Sequence, residues 1–261
     1  MPNNFFSSFS LKLKKSFMNE TFKSIIKKPS FILYSVLFDG LFALIVYEIN
    51  VLMETILPGM TTGAALTVMF VRLLTIVFAA SLFKLLILDE IGSVFRDKNT
   101  GLKRLPEFYF LNLAAWSVFI LLILAINTGI VFIFRQEYVQ TAGSVMIVLV
   151  FLIIYLVLNV IHSMFGLGKD LKKSLKGFMI SFSRIKSWLP VYGLGLAVFA
   201  AYLLVYSLIG ILTSLFIGAD ASFAFLSGYM KVAAIMSMAI VYLLIVFNRA
   251  YFYLIAKKQK L

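Results

Sequence analysis

Long apolar stretches alternate with short polar segments along the whole chain. Each stretch has at least about 20 residues, the length that a helix needs to cross a hydrocarbon core of ~30 Å. Because the bilayer interior offers no water to free backbone groups, such stretches must be helical. The pattern predicts an all-α fold, a polytopic membrane bundle of six transmembrane helices. The predicted spans are about 31–53, 64–88, 108–134, 142–165, 189–217 and 232–254.

Composition supports a lipid environment. Of the 261 residues, 62% are hydrophobic and 13% are charged, whereas about a quarter of a typical soluble domain is charged. Since no continuous apolar core precedes Phe31, we expect the first span to act as an uncleaved insertion signal. The chain therefore divides into an N-terminal amphipathic segment of residues 1–30, a transmembrane domain of residues 31–254 and a basic tail of residues 255–261.

Positively charged residues lie almost entirely on one side of the six predicted spans. Of the 24 Lys and Arg residues, 19 precede the first span, follow the last, or lie between spans two and three or four and five, and Arg249 lies near the same end of the sixth span. The positive-inside rule therefore predicts a multi-pass plasma-membrane protein with both termini in the cytoplasm. Anionic lipid headgroups explain the net charge of +13. No zinc, helix-turn-helix or RNA-binding motif indicates nucleic acid as a partner.

Residues 167–186 have the pattern of an amphipathic interfacial helix on the cytoplasmic side. Apolar residues recur every three or four positions and form one stripe, and lysines lie off that stripe. We expect either a connector resting on the membrane surface or a docking surface for a cytoplasmic partner. The N-terminal segment has a similar, looser stripe. The lysines expected at the lipid surface are Lys169, Lys172, Lys173 and Lys176.

The first predicted hairpin contains an acid and a base at one depth. A turn near Gly59 places Glu48 on the first span level with Arg72 on the second. A charged side chain inside the membrane is costly unless it is paired. We therefore expect an intramembrane ion pair between Glu48 and Arg72.

Other polar residues of the spans fall at similar heights in the cytoplasmic third. One interpretation is that they join helices through hydrogen bonds, at roughly 0.6 to 2 kcal/mol each. The other is a cytoplasm-facing vestibule in which Asp39 and His162 contact a substrate or relay a proton. This candidate polar layer consists of Asp39, Lys84, Asn112, Asn159, His162, Asn248 and Arg249.

Small residues and prolines mark helix packing and helix starts. Gly193, Ala197 and Ala201 on the fifth span, with Ala233 and Ser237 on the sixth, favour close packing of these two helices. A proline follows a basic segment before each outward-going span, at Pro29, Pro106 and Pro190. This regularity indicates either three tandem hairpin repeats or independent use of proline at helix starts.

Signals of catalysis or cofactor binding are lacking in the sequence. The absence of cysteine excludes disulfides and thiolate metal sites, and the single histidine cannot form a two-histidine metal site. The chain contains no zinc-protease, nucleophile-elbow or P-loop motif. We expect no metal, no cofactor and no enzymatic activity.

The layout resembles that of known membrane proteins. Lys-rich amphipathic stretches alternate with spans entered by Pro or Trp, and the chain ends in NRAYFYLIAKK. In this it resembles the YciC-like uncharacterised membrane proteins and the membrane domain of some glycerophosphodiester phosphodiesterases. The resemblance implies an integral membrane protein of about six helices and transfers no functional residues.

Two functions remain open from the sequence. The first is a structural, assembly or membrane-organising component, or a subunit of a membrane complex, with anionic lipid, other membrane subunits or a second copy as partners. The alternative is a small transporter or channel with a polar vestibule around Asp39.

Overall fold

The computed structural model describes residues 17–97, 101–133, 135–183, 185–214 and 222–258. These residues are almost entirely helical and include no strand, which confirms the all-α class. The helices are α1 (Phe17–Lys27), α2 (Ser30–Ile56), α3 (Thr62–Val94), α4 (Leu105–Ile133), α5 (Gln136–Gly166), α6 (Leu171–Leu175), α7 (Gly177–Ser183), α8 (Ile185–Ser214) and α9 (Ser222–Lys258). Among the described residues, α2, α3, α4, α5, α8 and α9 are long and apolar enough to cross a membrane.

Several helices continue past the ends of the predicted spans. The apolar run of the second span ends near residue 88, but α3 continues to Val94. Likewise, α9 extends beyond both ends of 232–254. Hydropathy marks where the sequence becomes polar, whereas a helix ends where its backbone hydrogen bonds end. Residues 1–16 of the predicted N-terminal segment lie outside the described ranges, and its remainder contains α1.

The predicted amphipathic helix of residues 167–186 is two short helices. Asp170 caps α6 by accepting a hydrogen bond from the backbone N–H of Lys173. The chain then turns at Lys176 before α7 begins.

The prolines predicted at helix starts do not all lie at the same place relative to their helices. Pro29 lies directly before α2, whereas Pro190 lies inside α8.

The chain divides into two compact units. The first, the core unit, consists of Ser24–Ser183 and Phe252–Leu261; the second, the hairpin unit, consists of Met1–Lys23 and Arg184–Tyr251. Within the core unit, sequence neighbours pack against one another from α2 through α5, and α5 also contacts α3. The short helices α6 and α7 pack on α5.

The end of α9 fills the interior of the core unit. Residues 252–256 are fully buried on every side of the helix, as expected for a helix segment without a polar face. Tyr253 stacks on Phe95 at 5.9 Å between ring centroids, and its hydroxyl donates to the Gly166 carbonyl at 3.4 Å. The predicted basic tail of residues 255–261 therefore begins later, because Ile255 and Ala256 belong to the core.

A lysine fixes this segment to the end of α3. Lys257 Nζ lies 2.8 Å from Asp97 Oδ1 and donates to the Phe95 carbonyl at 2.7 Å. The turn that presents these acceptors ends α3 with a hydrogen bond from the Asp97 N–H to the Gly92 carbonyl. Arg96 adopts a φ of 58° there, in the left-handed region that favours glycine. We call the end of the core unit that carries Asp97, Arg104, Lys172 and Lys257 the basic end.

Candidate functional site

A chain of hydrogen bonds joins three helices inside the core unit. Asn112 on α4 stands at its centre and is only 3% exposed. Asn112 Nδ2 donates to Ser81 Oγ on α3 at 3.0 Å and to the Phe108 carbonyl at 3.0 Å. On the other side, Asn112 Oδ1 lies 2.7 Å from His162 Nε2 on α5. Each helix of the trio thus contributes one polar side chain.

The direction of every hydrogen bond in this chain is determined. The Ser81 hydroxyl donates to the Val77 carbonyl at 2.7 Å, so it accepts from Asn112. Because Asn112 Oδ1 can only accept, His162 must donate through a protonated Nε2. An amide side chain does not pass a proton between its oxygen and its nitrogen. The arrangement therefore requires a proton on His162 Nε2 and does not form a proton relay through Asn112.

A second polar contact lies one helical turn away. Lys84 Nζ on α3 donates to Asn159 Oδ1 on α5 at 3.4 Å, and Asn159 Nδ2 donates to the Tyr155 carbonyl at 2.7 Å. Residues three apart on a helix share a face, as Ser81 and Lys84 do on α3 and Asn159 and His162 do on α5. We call this set, Ser81, Lys84, Asn112, Asn159 and His162, the polar seam.

The polar seam replaces the broader polar layer expected from sequence. Asp39 is half-buried on α2, on the face that carries the buried Ser35. Asn248 and Arg249 are half-buried and belong to the hairpin unit, so they are not part of this set. Ser81 is the member that the sequence did not predict, and the only signal for it is its position three residues before Lys84 on α3.

The predicted ion pair between Glu48 and Arg72 is wrong. Arg72 Nη2 donates to Asn50 Oδ1 at 2.6 Å, and no ion pair between Arg72 and Glu48 occurs in the described ranges. Depth along the hairpin places both Glu48 and Asn50 within reach of Arg72. Asn50 comes two residues after Glu48, which corresponds to a rotation of about 200° around the helix axis. Asn50 therefore faces α3, whereas Glu48 lies on the exposed side of α2.

The predicted close packing of α8 and α9 is also wrong. Gly193, Ala197 and Ala201 are all exposed, and a Cβ on Gly193 would meet nothing within 4 Å. The two helix backbones do not approach closely, because tyrosine rings stand between them.

Those tyrosines connect α8 and α9 in a reciprocal way. Tyr206 and Tyr229 stack at 4.2 Å between ring centroids, and each hydroxyl donates to the backbone carbonyl of the other residue. One turn away, the Tyr202 hydroxyl donates to the Ala233 carbonyl at 2.9 Å, and Ser237 donates to that hydroxyl at 3.3 Å. We call Tyr202, Tyr206 and Tyr229, with these contacts, the tyrosine clasp. A groove of about 700 Å³ lies beside it. Of the predicted packing residues, Ala233 and Ser237 thus lie in the contact.

The predicted lipid-surface lysines lie at the basic end. Asp170 Oδ1 accepts from the Lys173 N–H at 2.7 Å, and Asp170 Oδ2 lies 3.1 Å from Lys173 Nζ. The backbone hydrogen bond from Lys173, followed by the side-chain one, lowers the pKa of Asp170. Lys172 and Lys176 are exposed, and Lys169 is half-buried.

Arg104 holds the turn that carries these lysines. Its guanidinium donates to the Lys169 carbonyl at 2.7 Å and lies 4.0 Å from the centre of the Phe165 ring. An arginine above an aromatic face gains cation–π attraction in addition to its hydrogen bonds. The position of the lysine-bearing segment is therefore set by contacts from the residue directly before α4.

Within the described ranges, no three His, Asp or Glu side chains group in a way that could hold a metal ion. The side chains of the polar seam are two amides, one hydroxyl, one imidazole and one amine. No family model matches the chain, and no match was found among curated proteins or solved structures.

Proposed function

We propose that this protein is a structural or assembly component of a membrane complex, with its basic end and both termini in the cytoplasm of a plasma membrane. The observation that carries the proposal is the polar seam: Asn112 and His162 are 3% and 7% exposed, and they hydrogen-bond one another. A vestibule for a substrate needs polar groups that face water. Here Asn112 serves to join α3, α4 and α5. We assign the protein no catalytic activity.

The hairpin unit supplies the surface that such a component needs. No residue in the most apolar 18-residue window of α8 is buried, and 6% of the corresponding window of α9 is buried. Contact between the two helices rests on the tyrosine clasp and leaves the apolar groove beside it. Membrane helices associate through close packing and interhelical hydrogen bonds rather than through burial from water. The exposed small residues of α8 would allow a further helix of another subunit or a second copy to approach.

Extraction in native lipid discs tests this proposal. We expect the particle mass to exceed that of one chain plus lipid, through a second copy or another membrane protein. The chain has no cysteine, so a single cysteine can report proximity without background. In native membranes, Ala197→Cys should cross-link to a partner, and Val150→Cys, at a buried position of α5, should not. A particle of one chain and lipid, with no cross-link from Ala197→Cys, would refute the assembly role.

The alternative function, a small transporter or channel, is favoured by one observation. Asp39 is a half-buried acid in the interior of a predicted span, and such residues often mark substrate or ion pathways. For a transporter, Asp39→Asn would abolish uptake or conductance in reconstituted vesicles while leaving the unfolding temperature unchanged. For an assembly component, the wild-type protein shows neither activity in the same vesicles.

A further inference from the structure

Helices α6 and α7 pack on the rest of the core unit through very small residues. Ser174, Gly177 and Ser181 follow one another at intervals of three and four and are all buried. A Cβ on Gly177 would lie 3.1 Å from Ile161 Cγ1 and 3.2 Å from Ile161 Cα. The backbone of α7 therefore lies directly on α5, and this close contact fixes which sides of α6 and α7 face outward.

The outward side of α7 is bulky and apolar. Met179 is 71% exposed and Phe178 is 44% exposed. The rings of Phe178 and Phe182 contact each other edge to face at 5.3 Å, so that they form one apolar block. A connecting segment that faced water would carry polar residues at such positions. In a bilayer, the same side chains can lie among the lipid acyl chains.

The adjoining part of the surface is positively charged. Lys172 on α6 and Lys176, the residue directly after α6, are four residues apart, so they project from the same side, and both are exposed. Neither makes an ion pair within the part of the chain that the structure describes. Lys173 is partly neutralised by Asp170 at 3.1 Å. Two cationic groups are therefore available beside the apolar block.

We propose that α6 and α7 form a binding surface for anionic phospholipid in the leaflet at the basic end of the core unit. Phe178, Met179 and Phe182 insert among the acyl chains, and Lys172 and Lys176 bind the headgroup phosphates. An interfacial helix combines these same two contributions, apolar insertion and attraction to anionic lipid. The inference rests on the membrane-embedded part of the proposed function and not on the presence of a protein partner.

The depth of α7 can be measured with single nitroxide labels. Labels on Met179→Cys and Phe182→Cys, in vesicles of phosphatidylglycerol and phosphatidylcholine, should be reached by oxygen and shielded from a water-soluble nickel complex. A label on Lys172→Cys should be reached by the nickel complex. If the Met179 label is as accessible to nickel as the Lys172 label, α7 faces water and the inference is wrong; a cytoplasmic protein is then the better candidate for this surface.

Lipid preference is measured with spin-labelled lipids. The wild-type protein should retain phosphatidylglycerol over phosphatidylcholine, and the double variant Lys172→Gln, Lys176→Gln should lose most of that preference. The variant Arg135→Gln, Lys231→Gln removes two exposed positive charges outside α6 and α7 and should keep it. Equal loss in both variants would show that only the net charge matters and would overturn the inference. The particle mass in native lipid discs tests the assembly role separately, since α8 carries the surface proposed for it.

Discussion

Tyr253 lies so close to Gly166 that a Cβ on this glycine would stand 3.1 Å from Cε2 of the tyrosine ring. A Cβ on Gly92 would likewise stand 3.3 Å from the tyrosine hydroxyl oxygen. The two glycines, one near the end of α3 and the other at the end of α5, therefore form a slot for this ring. Because Tyr253 is fully buried, the ring has little space to move aside.

Gly166→Ala is accordingly expected to destabilise the protein by about 1–3 kcal/mol through overpacking. A lower unfolding temperature in detergent measures this loss. Gly143→Ala on the same helix is the matched control, since its Cβ would meet nothing within 4 Å and alanine favours a helix by about 1 kcal/mol. If both variants shift the unfolding temperature equally, Tyr253 does not need the slot.

The ion pair between Asp97 and Lys257 should stabilise the attachment of α9. Lys257→Met leaves the half-buried Asp97 carboxylate without the ammonium group that lies 2.8 Å from it. A buried group left without its partner costs about 1–3 kcal/mol. We expect the double variant Asp97→Asn, Lys257→Met to lose less stability than Lys257→Met alone. Additive losses in such a double-mutant cycle of unfolding temperatures would show that the two side chains are not coupled.

Arg96→Gly is expected to stabilise the turn after α3. The φ of 58° at Arg96 is costly for a side chain with a Cβ but free for glycine. Relief of this strain stabilises the folded state by about 1 kcal/mol. This gain should exceed the free-energy cost that arises because glycine has more conformational entropy in the unfolded chain. A raised unfolding temperature checks the expectation. The control is Lys103→Gly, a surface change outside the left-handed region, which should lower that temperature or leave it unchanged.

The cap of α6 should weaken in acid. The N–H of Lys173 lowers the pKa of Asp170 from the ordinary value of 3.8. The ionised cap therefore stabilises α6 fully above that value, and the stabilisation is lost as the pH falls through the lowered pKa. A nitroxide on Lys172→Cys should become more mobile below about pH 4. In the Asp170→Ala background the label should be mobile at every pH, and an unchanged pH response there would assign the effect to another group.

Asn112→Ala should weaken the association of α3, α4 and α5. The change removes the acceptor of His162 and the donor to Ser81, at about 1–2 kcal/mol in a membrane interior. Asn127→Ala, at a half-buried position of the same helix, should have a smaller effect on the unfolding temperature. His162→Gln keeps a donor and should retain more stability than His162→Ala. Equal losses for Gln and Ala would mean that ring packing against Phe108, at 5.0 Å, matters more than the hydrogen bond.

The six spans were predictable from sequence because they depend on local information. Length and hydropathy decide whether a helix crosses a bilayer, and both are read within about 20 residues. Rotation about the helix axis is a different quantity. The Glu48 prediction had the right depth and the wrong face, since hydropathy along α2 does not indicate which side meets α3.

Contacts between distant residues were not predictable in the same way. Gly166 and Tyr253 are 87 residues apart, and Phe95 and Lys257 are 162 apart. An apolar side chain packs equally well against lipid and against protein. The sequence therefore does not distinguish residues 252–256, which are buried in protein, from the exposed apolar residues of α8. The apolar stripe of residues 167–186 could be recognised from its spacing, but the side of it that faces α5 could not. The small residues Ser174, Gly177 and Ser181 are buried there, and the large apolar residues point outward.

The burial of residues 252–256 has a consequence for biosynthesis. The sixth span leaves the ribosome after the other five, yet its end occupies the centre of the unit formed by the first four. Those four helices must enter the lipid with the Gly92–Gly166 slot still empty, and the chain must hold them near one another until translation reaches Tyr253. A stop codon placed just before Ala250 would thus yield a protein with all earlier spans inserted but without the segment that closes them, a natural substrate for membrane quality control.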